Sequence, residues 1–324
     1  MVFLHTLNKK LEKMMPLLTP ISVIIGVALG EHLAWMAFLV PWVFAVITFT
    51  GSLSTNFTDT RHVIVHPLPL VICVLFSYLV MPLVSWGSAS FLFKGDAYTI
   101  TGFVLAFILP TGVMSFLWVS INQGNIPLSL AIIVVSTLVA PFAVPFGMEQ
   151  ILGAQISFDS WAMMKGLLWM LVIPSLIGMT LNQLTKGTVK DTLGKPLSPF
   201  SKIGLAFIVA VNSAVAAPFF REVSLKLVMI FLVAIVLSSF TYLIGWFVAR
   251  LFRWDWPTTV SLTFNFGMRN ISAGVVIAAA YFPPPVSIPV IIGTLFQQFL
   301  ASMYTLFLRR RKPEEKVISI APSS

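Results

Sequence analysis

The sequence predicts an all-α polytopic membrane protein, and three observations predict it. Hydrophobic residues make up 58% of the chain and charged residues only 10%, against about 25% charged in a soluble domain. Apolar runs long enough to cross a hydrocarbon core of about 30 Å as helices recur along the whole length, and they lack the alternation of barrel strands. The net charge of +9 comes from Lys and Arg gathered in the loops and tails between those runs. That is a topology signal rather than a nucleic-acid footprint.

Ten spans fit: Pro16–Gly30, Leu33–Leu53, Pro67–Gly87, Ala97–Asn122, Ile126–Met148, Ser160–Leu184, Lys202–Phe219, Leu225–Leu251, Pro257–Phe282 and Val286–Leu308. The polar stretch Met1–Lys13 and the apolar run after it resemble the start of a signal peptide. No small-residue cleavage site follows, so the run is read as the first span. The first and seventh spans read as short. With a cytoplasmic N-terminus, fifteen Lys and Arg fall on the cytoplasmic side and four (Lys94, Lys165, Arg221, Lys226) outside. This bias sets both termini, including the Arg309–Lys312 cluster, in the cytoplasm of an inner-membrane protein. The single cysteine, Cys73, excludes an intrachain disulfide.

Ten spans divide into two sets of five at a seam near Gln150–Asp159, giving a first repeat over 1–150, a second over 151–312 and a cytoplasmic tail over 313–324. An odd number of spans per half inverts one half relative to the other. Leu109-Pro110-Thr111-Gly112 interrupts the fourth span and Phe266-Gly267-Met268-Arg269-Asn270 the ninth. Interrupted helices at matching places in inverted halves point to a transport site near the midplane. Pro110 removes a backbone donor, Gly112 and Gly267 loosen the chain, and the freed groups must be satisfied within protein or a wet cavity. A lone Pro-x-Gly is also what an ordinary kink looks like.

Of the 20 Lys and Arg and 11 Asp and Glu, only Arg269 falls deep inside a span. An arginine there costs roughly 2.5–3.5 kcal/mol on insertion scales, and no acidic residue lies at its depth. The alternative is an arginine snorkelling from a misplaced span. Asn265, Asn270 and Ser272 surround it, Ser115 follows the first break, and Ser129 and Thr137 lie in the fifth span. Each alone serves as interhelical glue, as do Asn212 and Ser213. Trp254 and Trp256 suit an interfacial belt. His5, His32, His62 and His66 sit in the tail or near span ends without metal-ligand spacing. With no embedded Asp pair, no His-Glu-x-x-His and no Walker loop, enzyme chemistry finds no support.

Several stretches carry a family resemblance. Asn122-Gln123-Gly124-Asn125, Leu128-Ser129, Ser136-Thr137-Leu138 and Gly267-Met268-Arg269-Asn270 resemble the crossing motifs of the bile acid:sodium symporter family, bacterial members included. Pro41-Trp42 and His66-Pro67 also fit, and the resemblance runs in span order over nearly the whole chain. It implies ten helices in two inverted five-helix repeats, a core and a panel domain, and crossing fourth and ninth helices. Sodium-coupled members hold two ions at that crossing. Ser115 and Ser129 keep two family serines. The family's neighbouring asparagine, fifth-span threonine, shared glutamate, ninth-span glutamine and third-span glutamine become Phe116, Ile133, Asn265, Arg269 and Ser77. A guanidinium beside a sodium ion repels it, by about 4 kcal/mol at about 4 Å and an effective dielectric of about 20.

The expectation is a secondary transporter of a small or amphipathic organic anion, working by alternating access without sodium. Thr111, Gly112, Ser115, Arg269 and Asn270 form the substrate site. Ser77, Ser115, Ser129, Asn265 and Arg269 form the former ion site, with Arg269 standing in for the ion. The partners are the anion and the bilayer, with no nucleic acid and no cofactor; nothing sets an oligomeric state. The alternatives are a sodium-coupled symporter with a reduced site around Ser115, Ser129 and Asn265, and a non-transporting sensor or scaffold.

Overall fold

A computed structural model describes residues 2–55, 67–153, 156–220 and 224–311. Arg61, His62, His66, Arg221, Lys312, Lys316, part of the 150–159 seam and the tail beyond Arg311 lie outside the described residues. The described residues are helical, with one isolated antiparallel bridge.

In chain order the helices are α1 (Val2–Leu29), α2 (Glu31–Ser52), α3 (Leu68–Leu92), α4 (Ala97–Ile108), α5 (Ser115–Ile121), α6 (Ile126–Leu152) and α7 (Ser160–Leu184). They continue with α8 (Lys190–Val215), α9 (Leu225–Leu251), α10 (Trp256–Gly267), α11 (Ile271–Tyr281) and α12 (Pro284–Arg311). Seven of them, α2, α3, α6, α7, α8, α9 and α12, are long and apolar enough to cross a membrane. Large apolar side chains point outward, among them Trp42 at 74% exposure, Phe91 at 73% and Trp169 at 70%. Water would not tolerate such a surface, and lipid requires it.

Two expected spans differ in extent. The first helix begins at Val2 rather than Pro16, so the polar N-terminal stretch is itself helical. The seventh span starts at Lys190 rather than Lys202, and α8 is therefore long. Its cause is local. Residues 190–194 form a π-helical turn just ahead of Pro196. Proline cannot donate to the helix ladder and crowds the carbonyl four residues back, so the helix widens and continues instead of stopping. The same device precedes Pro82 in α3, where the π turn is Phe76–Val80, and Pro174 in α7, where it is Leu168–Val172.

The helix starts explain where the acids went. Asp96, Asp159 and Asp255 cap α4, α7 and α10 by accepting backbone N–H bonds from Thr99, Ala162 and Thr258. A carboxylate at a helix N-terminus answers both the orphan donors and the helix dipole. Asn125, Ser224 and Asn270 do the same for α6, α9 and α11.

Helices α1, α2, α7 and α8 pack on one another, with Gly26 bringing α1 against the Ala210 carbonyl of α8. The remaining helices pack around α4, α10 and α12. Helix α11 bridges the two groups by touching α2 and α8 as well as α4 and α12.

Candidate functional site

Two helix interruptions meet in the interior. After Ile108 the chain extends through Leu109 and Pro110 before α5 begins at Ser115. After Gly267 it extends at Met268, and Asn270 starts α11. The two stretches run antiparallel, with Thr111 opposite Arg269. Gly112 N–H donates to the Met268 carbonyl at 3.0 Å, and Asn270 N–H donates to the Pro110 carbonyl at 2.8 Å. Backbone groups freed by one break are thus satisfied by the other, which is what lets irregular chain exist at this depth. Gly112 is required by contact: a Cβ there would lie 2.7 Å from the Arg269 carbonyl oxygen. Gly267 is held the same way, since a Cβ would lie 2.3 Å from the Tyr242 ring.

Beside the bridge lies a closed polar cluster on α5, α6 and α10. Ser115 Oγ donates to Asn265 Oδ1 at 3.0 Å. Asn265 Nδ2 donates to Ser129 Oγ at 2.9 Å and to the Ser261 carbonyl at 2.7 Å. Ser115, Ser129 and Asn265 are fully buried. Thr111 ties the cluster to the bridge, its Oγ1 donating to the Asn265 carbonyl and its N–H to Ser136 Oγ, both at 3.3 Å.

One turn along the same strand of chain, Arg269 is buried to 2% exposure. Its Nη1 donates to Ser77 Oγ in the π turn of α3, and Ser77 Oγ in turn donates to the Cys73 carbonyl at 2.8 Å. Nε and Nη2 are buried without a partner. Among the described residues no carboxylate pairs with Arg269.

The structure therefore gathers Ser115, Ser129 and Asn265 into one cluster and Ser77 and Arg269 into a second, with Thr111, Gly112 and Pro110 forming the bridge between them. Asn270 is only half buried. It and its neighbours Ile271 and Ser272 are the accessible part of the second break, while Val113, at 43% exposure, is that of the first. Ser136, Tyr78, Ser261 and Gln297 belong to this region and were not singled out as site residues. Tyr78 Oη donates to the Ser136 carbonyl at 2.5 Å. Ser261 was readable as one helical turn before Asn265, and Gln297 as a polar residue within the apolar run of α12.

A many-helix membrane protein with two interrupted helices crossed over a buried cation belongs to the class of secondary transporters. The chain belongs to the SBF-like CPA transporter family (DUF4137), whose model matches residues 26–310. This is a transporter family and not an enzyme family. The uncharacterized protein YbaS of Bacillus subtilis (strain 168) is 44% identical over 91% of this chain and 97% of its own length. The uncharacterized sodium-dependent transporter YocS of the same organism is 24% identical over 89% of this chain and 88% of its own. The probable sodium/metabolite cotransporter BASS1, chloroplastic, of Oryza sativa subsp. japonica is 25% identical over 87% of this chain and 69% of its own.

Proposed function

We propose that the protein carries a small organic anion across the inner membrane by alternating access, with Arg269 in place of a coupling sodium ion. In this reading the ten spans are α1, α2, α3, α4 with α5, α6, α7, α8, α9, α10 with α11, and α12. They form inverted repeats over 1–150 and 151–312, with both termini and the tail 313–324 cytoplasmic. Helices α1, α2, α7 and α8 make the panel and the rest the core. The contact of α11 with α2 and α8, beside the exposed face of α5 at Leu117 and Ile121, supports a state closed on the outer half and open to the cytoplasm.

The single observation that carries the proposal is the buried arginine at the crossing. Its charge and the positive end of α11 raise the potential where Asn270 and Ser272 are accessible, and an anionic headgroup is drawn there. Arg269 acts from one layer behind, through its field and by holding the crossing to α3. Asn265 uses its amide within the protein, so the oxygens of Ser115 and Ser129 are already engaged. The test is a thermal-shift and uptake screen of small organic acids with choline replacing sodium. Uptake should persist; an absolute sodium requirement sinks the substitution of ion by arginine.

A second reading has its own support. Two of the relatives are named as sodium-dependent or sodium/metabolite carriers. In that case Ser115, Ser129 and the Asn265 side-chain oxygen, which already converge, would supply a single reduced sodium site, and the same choline substitution would abolish uptake.

A further inference from the structure

Two donors on Arg269 have no place in the network described above. Nε and Nη2 are buried and unpartnered, and so is Gln297 Oε1 on α12. All three belong to residues lining one cavity of about 20 Å³ between α4, α9, α12 and the crossing. Tyr242 closes one side, its hydroxyl donating to the Gln297 backbone carbonyl at 3.3 Å, and Phe107, Ser238, Gly267 and Ile271 are among the other lining residues.

Size and charge decide what such a cavity takes. A volume of roughly 10–15 Å³ on this measure holds one water, and pockets for organic ligands run to hundreds of Å³. At about 20 Å³ the cavity suits a small inorganic ion or a water rather than an organic acid. Its lining residues include a guanidinium with two unpartnered nitrogens and, among the described residues, no carboxylate. A buried cation without a partner is costly. A small anion can pair with it, and a half-turn of the Gln297 amide presents a further donor.

We infer that this cavity is a halide site, filled by chloride held between Arg269 and Gln297. The chloride is an exchangeable counter-ion that pairs the arginine while no carried anion is bound. The inference rests on a buried, charged Arg269 and not on sodium independence.

The test uses purified protein in nanodiscs with choline as the only cation. Choline chloride is exchanged for choline gluconate at constant ionic strength while the melting temperature is followed. A ligand of the folded state stabilises it by mass action. Chloride and bromide should therefore raise the melting temperature saturably and gluconate should not. The rise should be lost in Arg269→Gln and weakened in Gln297→Leu. Crystals grown in bromide should give an anomalous peak between the two side chains. Equal melting in chloride and gluconate, a peak absent from bromide crystals, or a chloride response retained by Arg269→Gln would each mean that the cavity holds water only and overturn the site. The wild-type titration and the bromide crystal need no variant to fold. A sodium requirement for uptake would leave them unchanged, so the two readings fail separately.

Discussion

Asn265 and Arg269 lie four residues apart on either side of the same break, and they solve burial in opposite ways. Asn265 is neutral and has partners for both ends of its amide: Ser115, Ser129 and the Ser261 carbonyl. Arg269 is charged, has one partner in Ser77, and leaves two nitrogens unused. A satisfied buried network rigidifies; a half-satisfied one stores free energy. The difference assigns the roles. Asn265 fastens α10 to α5 and α6; on the proposed function, Arg269 is kept for its charge at a net cost to stability.

That contrast is broken most directly at Arg269. Arg269→Gln keeps a donor for Ser77 and removes the charge. Transport should fall by an order of magnitude or more, while the melting temperature in chloride-free buffer should hold or rise, because removing a poorly paired buried ion relieves its desolvation cost. A stable variant with normal uptake would take the arginine out of the mechanism. A collapsed variant would make it a structural residue like Asn265. The mirror experiment is Asn265→Ala, which orphans Ser115 and Ser129 and should cost about 2–4 kcal/mol by denaturation, at the high end for buried polar losses. If it melts like the wild type, the amide is not the fastener. The double change Asn265→Glu with Arg269→Gln sharpens the pair further. It supplies the acid that the family resemblance implies at this position and removes the repelling cation; on the proposed function, sodium should then stabilise the variant more than the wild type.

Much of this was legible before any coordinates. Arg269 stood out because nearly every other ionisable group is where water or a headgroup can reach it, and Pro110 and Gly112 announced a break because proline removes a donor where no solvent can replace it. The direction of the Arg269 side chain was not legible. Only packing reveals that it turns to the π turn of α3 and lines a cavity beside α12. The length of α8 was hidden for a related reason. Lys190, Lys195 and Pro196 read as loop, and a π turn absorbing the proline has no periodic signature. Ser136 escaped notice as a site residue because a serine within an apolar helix usually bonds its own backbone, as it also does here to Ile133.

Gly112 tests whether the bridge between the two clusters is rigid. Gly112→Ala places a methyl 2.7 Å from the Arg269 carbonyl oxygen, a backbone atom that can yield only if the two breaks separate. Overpacking of this kind costs about 1–3 kcal/mol. Melting should drop accordingly and uptake should fall further than stability alone explains, since both clusters lose their shared spacing. Wild-type uptake would mean that the bridge flexes freely.

The smallest effect belongs to the other end of the helix that leads into the crossing. Asp96 caps α4 and pairs with Lys226 at the start of α9, at 2.6 Å. Its partial burial pushes the carboxyl pKa up, but bonds from Lys226 and Thr99 outweigh that and hold it below the ordinary carboxylate value. A carboxyl with a depressed folded pKa contributes stability that is fully present above its unfolded pKa and lost as pH falls through the folded one. Melting should therefore be insensitive to this group at neutral pH and decline in the acid range. Lys226→Ala should lower the neutral melting point slightly, by about 0.2–1 kcal/mol as expected of a partly exposed pair, and flatten the acid decline. A neutral-pH loss as large as that of Asn265→Ala would mean that α4 is anchored from its N-terminal end, and that the polar cluster at the crossing is not what holds the two helices in place.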